Sequence, residues 1–284
     1  MTAPLPQLDA EGTIGVITAF IRSQLEQTGF ERLVVGLSGG VDSATVAFLA
    51  ARAIGADNLL ALRMPYRSSV ADSETDALRV VTALGCRTEL VDITPMVDPM
   101  LALITGDDEA ALRVRRGNVM ARQRMIVAYD RSAAFDALVA GTSNKTEALL
   151  GYGTLHGDMA AAIAPIGDLY KSQLRAVATA LGVPAEILAK PPSADLWPGQ
   201  TDEGELGASY DDLDRILFAL VDRRWSAERC VAAGLDGGLV AWVQRRVAAN
   251  EFKRQVPPVA KVSLRTPGID HLYPRRRPGS RRGS

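Results

Sequence analysis

Cysteine and histidine are nearly missing from this chain: its 284 residues hold two of each, Cys86 and Cys230, His156 and His271. Two cysteines supply neither a disulfide framework nor a four-ligand zinc site. Two histidines leave little room for a histidine metal cluster or a serine–histidine triad. Long apolar runs are missing as well, since no stretch approaches the ~20 residues needed to cross a bilayer. The opening residues, MTAPLPQLDAEG, lack the basic start and apolar core of a secretion signal. The expected location is therefore the cytoplasm. No internal repeat is found. An excess of one charge is lacking too, with a formal net charge of −1. That balance hides an asymmetry, because Pro274 to Ser284 carries five arginines and no acid. The remaining body is mildly acidic, which argues against a broad nucleic-acid surface. The expected layout is one domain over residues 1–272 and an Arg-rich, disordered tail over 273–284.

What the chain does have is concentrated in Leu33 to Ser43, LVVGLSGGVDS. Leu33, Val34, Val35 and Leu37 form a short apolar run bounded by glycines, the pattern of a buried parallel strand. Ser38-Gly39-Gly40 breaks it, and Val41 to Ala53 reads as a helix. A glycine turn opening a helix exposes backbone N–H groups and the positive end of the helix dipole to an anion, phosphate above all. A kinase-type P-loop would end in Gly-Lys-Ser/Thr, whereas here Val41, Asp42 and Ser43 follow the glycines. A carboxylate in a phosphate cradle repels its ligand unless a cation lies between them, so Asp42 points to Mg²⁺. The alternative reading has Asp42 as a first-turn carboxylate and Ser38 as a local cap. The run resembles the SGGxDS signature of the PP-loop ATP pyrophosphatases.

The rest of the chain alternates helices and strands. Leu8 to Phe30 has helical spacing and precedes the first strand. Leu59 to Met64 and Arg87 to Ile93 read as strands, with a helix between them capped by Asp72 or Ser73 and ending near Gly85. Thr94 to Asp108, with Pro95, Pro99 and Gly106, reads as irregular. Glu109 to Phe135 reads as a long helix with a break near Gly117, and Ala134 to Ala140 as a fourth strand. This pattern predicts an α/β fold, a single-domain Rossmann-like parallel sheet with helices on both faces. Ligands then bind where the strands' C-terminal ends meet the following turns.

A second such turn is Gly141 to Glu147, GTSNKTE. Thr142 and Ser143 can donate to a nucleotide, and Glu147 offers a second carboxylate for a shared Mg²⁺. The same residues also fit a capping box with Ser143 or Asn144 as cap, and both readings stand. Gly151 to Asp158 is glycine-rich but follows no strand and has the wrong spacing for a dinucleotide loop. Asp168 to Gly182 reads as a helix with Lys171 in its first turn, where a cation opposes the dipole and so points to an anionic ligand. Pro191 to Glu203 is turn-rich, too polar for a core, and a candidate lid. Tyr210 to Val221 is amphipathic, and Trp225 to Asn250 is helical with breaks at Gly234, Gly237 and Gly238. The arginines of the long helix, including Arg115, Arg122 and Arg124, read either as a solvated face or as lining a cleft.

The blocks GLSGGVDS, NVMARQRM, GTSNKTE, GYGTLHGD, PIGDLYKSQLR, PPSADLWPGQTDEGELGASYDDLD and FKRQVPP together resemble the ammonia-dependent NAD synthetases, whose fold is adenine nucleotide alpha-hydrolase-like. The resemblance implies a homodimer that uses ATP and Mg²⁺ to adenylate the nicotinate carboxylate of deamido-NAD. Ammonia then displaces AMP. It places Gly36, Leu37, Ser38, Gly39, Gly40, Val41, Asp42, Ser43, Thr142, Lys171 and Ser193 at ATP, and Asp42 and Glu147 at the metal. Arg124, Leu155, Ala162, Phe252 and Lys253 fall at deamido-NAD positions. Asp42 and Lys171 are the catalytic positions, with no covalent nucleophile. Many members carry lysine at the place of Leu155 and aspartate at that of Ala162, and some carry histidine at that of Phe252. These departures keep open an amide ligase of the same fold acting on another carboxylic acid. The glutamine-dependent relatives carry a glutaminase domain with a catalytic cysteine, while only ~30 residues precede the first strand here, below domain size. Free ammonia is the expected nitrogen donor.

Overall fold

A computed structural model of the chain describes residues 5–193, 197 and 200–270. The elements that position the site are four strands, β1 Arg32–Gly36, β2 Leu59–Arg63, β3 Arg87–Leu90 and β4 Ala137–Ala140. They form one parallel sheet in the order β3-β2-β1-β4. Leu33 pairs with Leu59 on one side and with Leu138 on the other, so β1 is central. The pleat sorts its side chains by parity. Leu33, Val35, Leu59, Ala61, Leu138 and Ala140 enter one apolar cluster, and Val34, Leu60, Leu62, Ala137 and Val139 the other. Burial on both faces explains why the central strands read as continuous apolar runs.

Helices cover both faces. α1 Ala10–Thr28, α2 Val41–Ile54, α3 Ala71–Leu84 and α7 Lys171–Leu181 contribute to the first cluster. In α1, Ile14, Ile21 and Leu25 are buried, each contributing about 1.5–3 kcal/mol. On the second face lies α5 Glu109–Phe135, which buries Ala128 among the strand residues. A third apolar cluster joins α6 Lys145–Leu150 to α10 Tyr210–Leu217 and α12 Gly237–Ala249 through Leu150, Leu213, Leu217, Val240 and Val243.

Several local expectations are corrected. Helix α3 begins at Ala71 after an extended Val70, so neither Asp72 nor Ser73 caps it. Ser73 instead accepts a hydrogen bond from Lys190, which follows α8 Ala185–Ala189. The stretch from Thr94 contains a helix, α4 Thr94–Leu101. Pro95 lies in its first turn, where no N–H is needed, and the buried Ile93 and Val97 anchor it. α5 runs unbroken through a buried Gly117, and its N-cap is Asp108. β4 starts only at Ala137, because Phe135 still belongs to α5. Trp225 to Asn250 divides into α11 Ala227–Ala232 and α12. Residues 271–284, which hold the arginine-rich tail, lie outside the described residues.

Candidate functional site

The turn after β1 is closed by its own hydroxyls. Ser43 Oγ accepts from the Ser38 N–H at 3.2 Å and donates to the Gly40 carbonyl at 3.1 Å. Ser38 and Ser43 Oγ lie 3.1 Å apart. Gly39 has φ +79, a conformation that favours glycine. Gly40, extended, precedes the first turn of α2 and its Asp42. Val41 is buried, Ser38 is exposed, and Leu37 hydrogen-bonds through its N–H to the Leu62 carbonyl. The loop thus has a fixed backbone and an open edge, as an anion cradle requires.

The turn after β4 meets it. Asn144 caps α6 in a full capping box: its Oδ1 accepts from the Glu147 N–H at 3.0 Å, and Glu147 Oε2 accepts from the Asn144 N–H at 3.3 Å. The capping-box reading of Glu147 is thus observed, with Asn144 as the cap, and the other carboxylate oxygen accepts from Lys171 Nζ at 3.4 Å. Asn144 Nδ2 reaches across to Asp42 Oδ1 at 2.9 Å. Lys171, the first residue of α7, also donates to Asp42 Oδ2. The result is a cluster, buried at Lys171 and Asn144 and half-buried at Asp42 and Glu147, in which the two acids share one ammonium.

Electrostatics follow from that burial. Desolvation pushes the Glu147 carboxyl up to about 8; Lys171 pulls it back and Asp42 adds to the rise. Burial alone would push the Lys171 ammonium down, but Asp42 and Glu147 outweigh it and hold the group protonated. Two carboxylates with hard oxygen donors facing one cation form a donor set that suits Mg²⁺.

Other side chains brace this centre, and the sequence reading did not single them out. Asp214 of α10, fully buried, accepts from Thr146 Oγ1 at 2.5 Å, from the Ser172 N–H at 2.9 Å and from Ser172 Oγ at 2.7 Å. It lies on the face of α10 that buries Tyr210, Leu213 and Leu217. An acid on an apolar helix face is the sequence signal that would have found it. Asp202, in α9 Asp202–Leu206, accepts from Tyr152 and Tyr210, each at 3.0 Å. The polar stretch expected to stay out of the core thus buries Gln200 and Asp202. Its residues 194–196 and 198–199 lie outside the described residues.

The remaining site positions have the following surroundings. Thr142 is half-buried in the turn after β4, and Ser193 is exposed after α8. Arg124 Nε donates to the Met64 carbonyl at 3.0 Å, at the end of β2. The Leu155 carbonyl accepts from Arg122. Ala162 hydrogen-bonds through its N–H to the Val139 carbonyl at 2.9 Å and packs against the core. Phe252 is 61% exposed. Lys253 Nζ donates to the Gly151 and Gly153 carbonyls at 2.8 and 2.9 Å, fastening the glycine-rich loop. Burial pushes this ammonium down.

Comparison with known proteins bears on this geometry. A family model described as NAD synthase matches residues 13–257. The NH(3)-dependent NAD(+) synthetase of Chlorobium phaeovibrioides is 51% identical over 260 residues, 92% of each chain. Among solved structures, an NMN synthetase from Francisella tularensis superposes with a TM-score of 0.76 at 29% identity, covering 89% of this chain and 99% of that one. An NH3-dependent NAD synthetase from Campylobacter jejuni does so with a TM-score of 0.74 at 33% identity, covering 89% and 100%.

Proposed function

Because the chain belongs to the NAD synthase family, we propose that it joins ammonia to the nicotinate carboxylate of deamido-NAD at the expense of ATP, giving NAD, AMP and pyrophosphate. The observation that carries this reading is the 51% identity to an NH(3)-dependent NAD(+) synthetase across 92% of both chains. The chemistry needs activation first, because a carboxylate is a poor electrophile. Transfer of AMP onto the carboxylate creates a good leaving group, and ammonia then displaces it. The protein's task is positioning and charge neutralisation.

The residues divide that task. The turn from Gly36 through Ser43 offers main-chain N–H groups and hydroxyls to the phosphates of ATP, with Thr142 and Ser193 flanking it. Asp42 and Glu147 would hold Mg²⁺, which when bound neutralises phosphate charge. Lys171 supplies a permanent positive charge to the same place. Arg124, Leu155, Ala162, Phe252 and Lys253 are assigned to deamido-NAD. The working form is a homodimer in the cytoplasm. The exposed Met96, Met100, Leu103, Val114, Ile126 and Tyr129 on and beside α4 and α5 supply apolar surface for a second copy. No described helix is long and apolar enough to cross a membrane.

A second reading has one observation behind it: the neighbour at TM-score 0.76 is named for NMN. An amide ligase of this fold acting on another nicotinate-bearing acid is the alternative. One assay separates the two. The purified protein is given ATP, Mg²⁺, ammonium and either deamido-NAD or nicotinate mononucleotide, each component omitted in turn. NAD formed only in the complete mixture supports the first reading. Pyrophosphate release with the mononucleotide and none with deamido-NAD would replace it with the second. Sedimentation velocity tests the dimer, and a monomer at micromolar concentration rejects it.

A further inference from the structure

Lys171 stands where a cation shared by Asp42 and Glu147 has to stand. Its Nζ donates to Asp42 Oδ2, and to Glu147 Oε1 at 3.4 Å. Its side chain is 3% exposed, and the centroid of the Tyr210 ring lies 5.1 Å from the same nitrogen. The two carboxylates assigned to the metal are thus both turned onto one ammonium. Mg²⁺ takes oxygen ligands at about 2.0–2.1 Å. A metal ion on both carboxylates and an ammonium hydrogen-bonded to both compete for one volume.

We propose that Lys171 is an exchangeable internal counter-ion. Before nucleotide binds, it bridges Asp42 and Glu147, hydrogen-bonded to both, and it yields that place to a divalent cation only when a polyphosphate arrives to receive the ammonium. The inference rests on the reading of this edge as a site for ATP and a divalent metal.

Charge compensation supplies the logic. A bare divalent cation that displaced the ammonium would leave a buried, unpaired lysine beside a dication. Leaving one partner of a buried pair uncompensated is strongly unfavourable. A polyphosphate in the turn from Ser38 to Ser43 removes that cost by offering anionic oxygens to the displaced ammonium. Metal and nucleotide then bind with strong mutual coupling, and the coupling runs through Lys171.

The surroundings suit a side-chain exchange on a fixed frame. The Lys171 main-chain N–H is held by Thr146 Oγ1 at 3.1 Å, and its neighbour Ser172 is held by Asp214. Asp42 Oδ1 keeps its bond from Asn144 Nδ2, and Glu147 Oε2 keeps its bond from the Asn144 N–H. When the ammonium leaves, both carboxylates stay aimed.

The test uses Mn²⁺ as the probe, its free concentration read by electron paramagnetic resonance, with and without α,β-methylene-ATP. The native protein is expected to bind Mn²⁺ weakly alone and to hold it in the ternary complex. Lys171→Met, its fold checked by circular dichroism, is expected to bind Mn²⁺ without nucleotide at least about tenfold more tightly than the native protein. An unchanged or weaker affinity in Lys171→Met, with Mn²⁺ present in the native ternary complex, rejects the exchange and leaves the metal assignment standing. Absence of Mn²⁺ from the native ternary complex rejects the metal assignment, and the exchange with it. If Lys171→Met does not fold, the native titration decides. Binding tighter than about 10 μM without nucleotide overturns the proposal, and weaker binding supports it. NAD formation by the native protein is measured separately and depends on neither result.

Discussion

Thr146 donates its hydroxyl to Asp214 at 2.5 Å, across 68 residues of chain. The same carboxylate holds Ser172 through both its N–H and its hydroxyl. Thr146 precedes Glu147, and Ser172 follows Lys171, so one buried acid sets the starts of α6 and α7 and the two site residues they carry. Burial pushes the Asp214 carboxyl up, while Thr146 and Ser172 pull it back. In Asp214→Asn the amide group must turn a donor toward donors already in place. The variant is expected to lose about 1–3 kcal/mol of stability in urea unfolding. Its kcat should fall as well, and fall further than in a surface variant of equal stability loss.

Gly39 carries a second prediction. Its φ is +79, and a β-carbon built on it would overlap the Ser73 main-chain carbonyl in the first turn of α3. The overlapping atom is backbone, which cannot swing aside. Gly39→Ala therefore has to move the turn after β1 away from α3, against about 1–2 kcal/mol of left-handed strain as well. Weakened ATP binding by calorimetry is expected, together with a lowered Tm. Native ATP affinity in this variant would remove Gly39 from the cradle.

The third prediction concerns pH. The Glu147 carboxyl lies near 4.5 when unfolded and at about 8 in the folded protein. Between those values the folded state binds more protons than the unfolded one, so stability falls as pH rises. Its contribution is whole below about 4.5 and is lost as pH climbs through about 8. Glu147→Gln removes the titrating group. The difference in unfolding free energy between native and variant protein should shift in the variant's favour from pH 5 toward pH 8, as read by denaturant titration at intervals of about one pH unit. A flat difference rejects the raised carboxyl.

Lys253 and Phe252 are neighbours with separable roles. Lys253 fastens the Gly151 and Gly153 carbonyls, whereas Phe252 is exposed. Phe252→Ala is expected to change stability by less than about 0.5 kcal/mol. Any rise in the KM for deamido-NAD in that variant then reports a direct contact. Lys253→Met strips two carbonyls of their donor, at about 1–3 kcal/mol. It should raise the same KM by loosening the loop that carries Leu155. If Lys253→Met leaves both stability and KM unchanged, the brace has no consequence.

What depends on neighbours in sequence was legible in the chain. The strand–turn–helix from Leu33 to Ser43, the capping box from Asn144 to Glu147 and the buried parallel strands are local patterns of polarity, glycine and hydrogen-bonding side chains. Local patterns misled where tertiary contacts outweighed them. Pro95 and Pro99 read as breakers, yet Ile93 and Val97 bury and hold α4 in place. Ser73 read as a cap, yet Lys190 engages its hydroxyl from 117 residues away.

The pairings come from the folded backbone. Lys171 was legible as a misplaced cation in a helix start, which pointed to an anion. That its partners are Asp42, 129 positions earlier, and Glu147 follows from the parallel sheet. Adjacent strands β1 and β4 deliver both turns to one edge, and α7 packs behind them. Asp214 is one of three acids in YDDLD; its place on the apolar face of α10 sets it apart in sequence, and its burial between α6 and α7 shows what it holds. A charge pattern in sequence states what a residue needs; which residue meets that need depends on distances that the folded backbone alone sets.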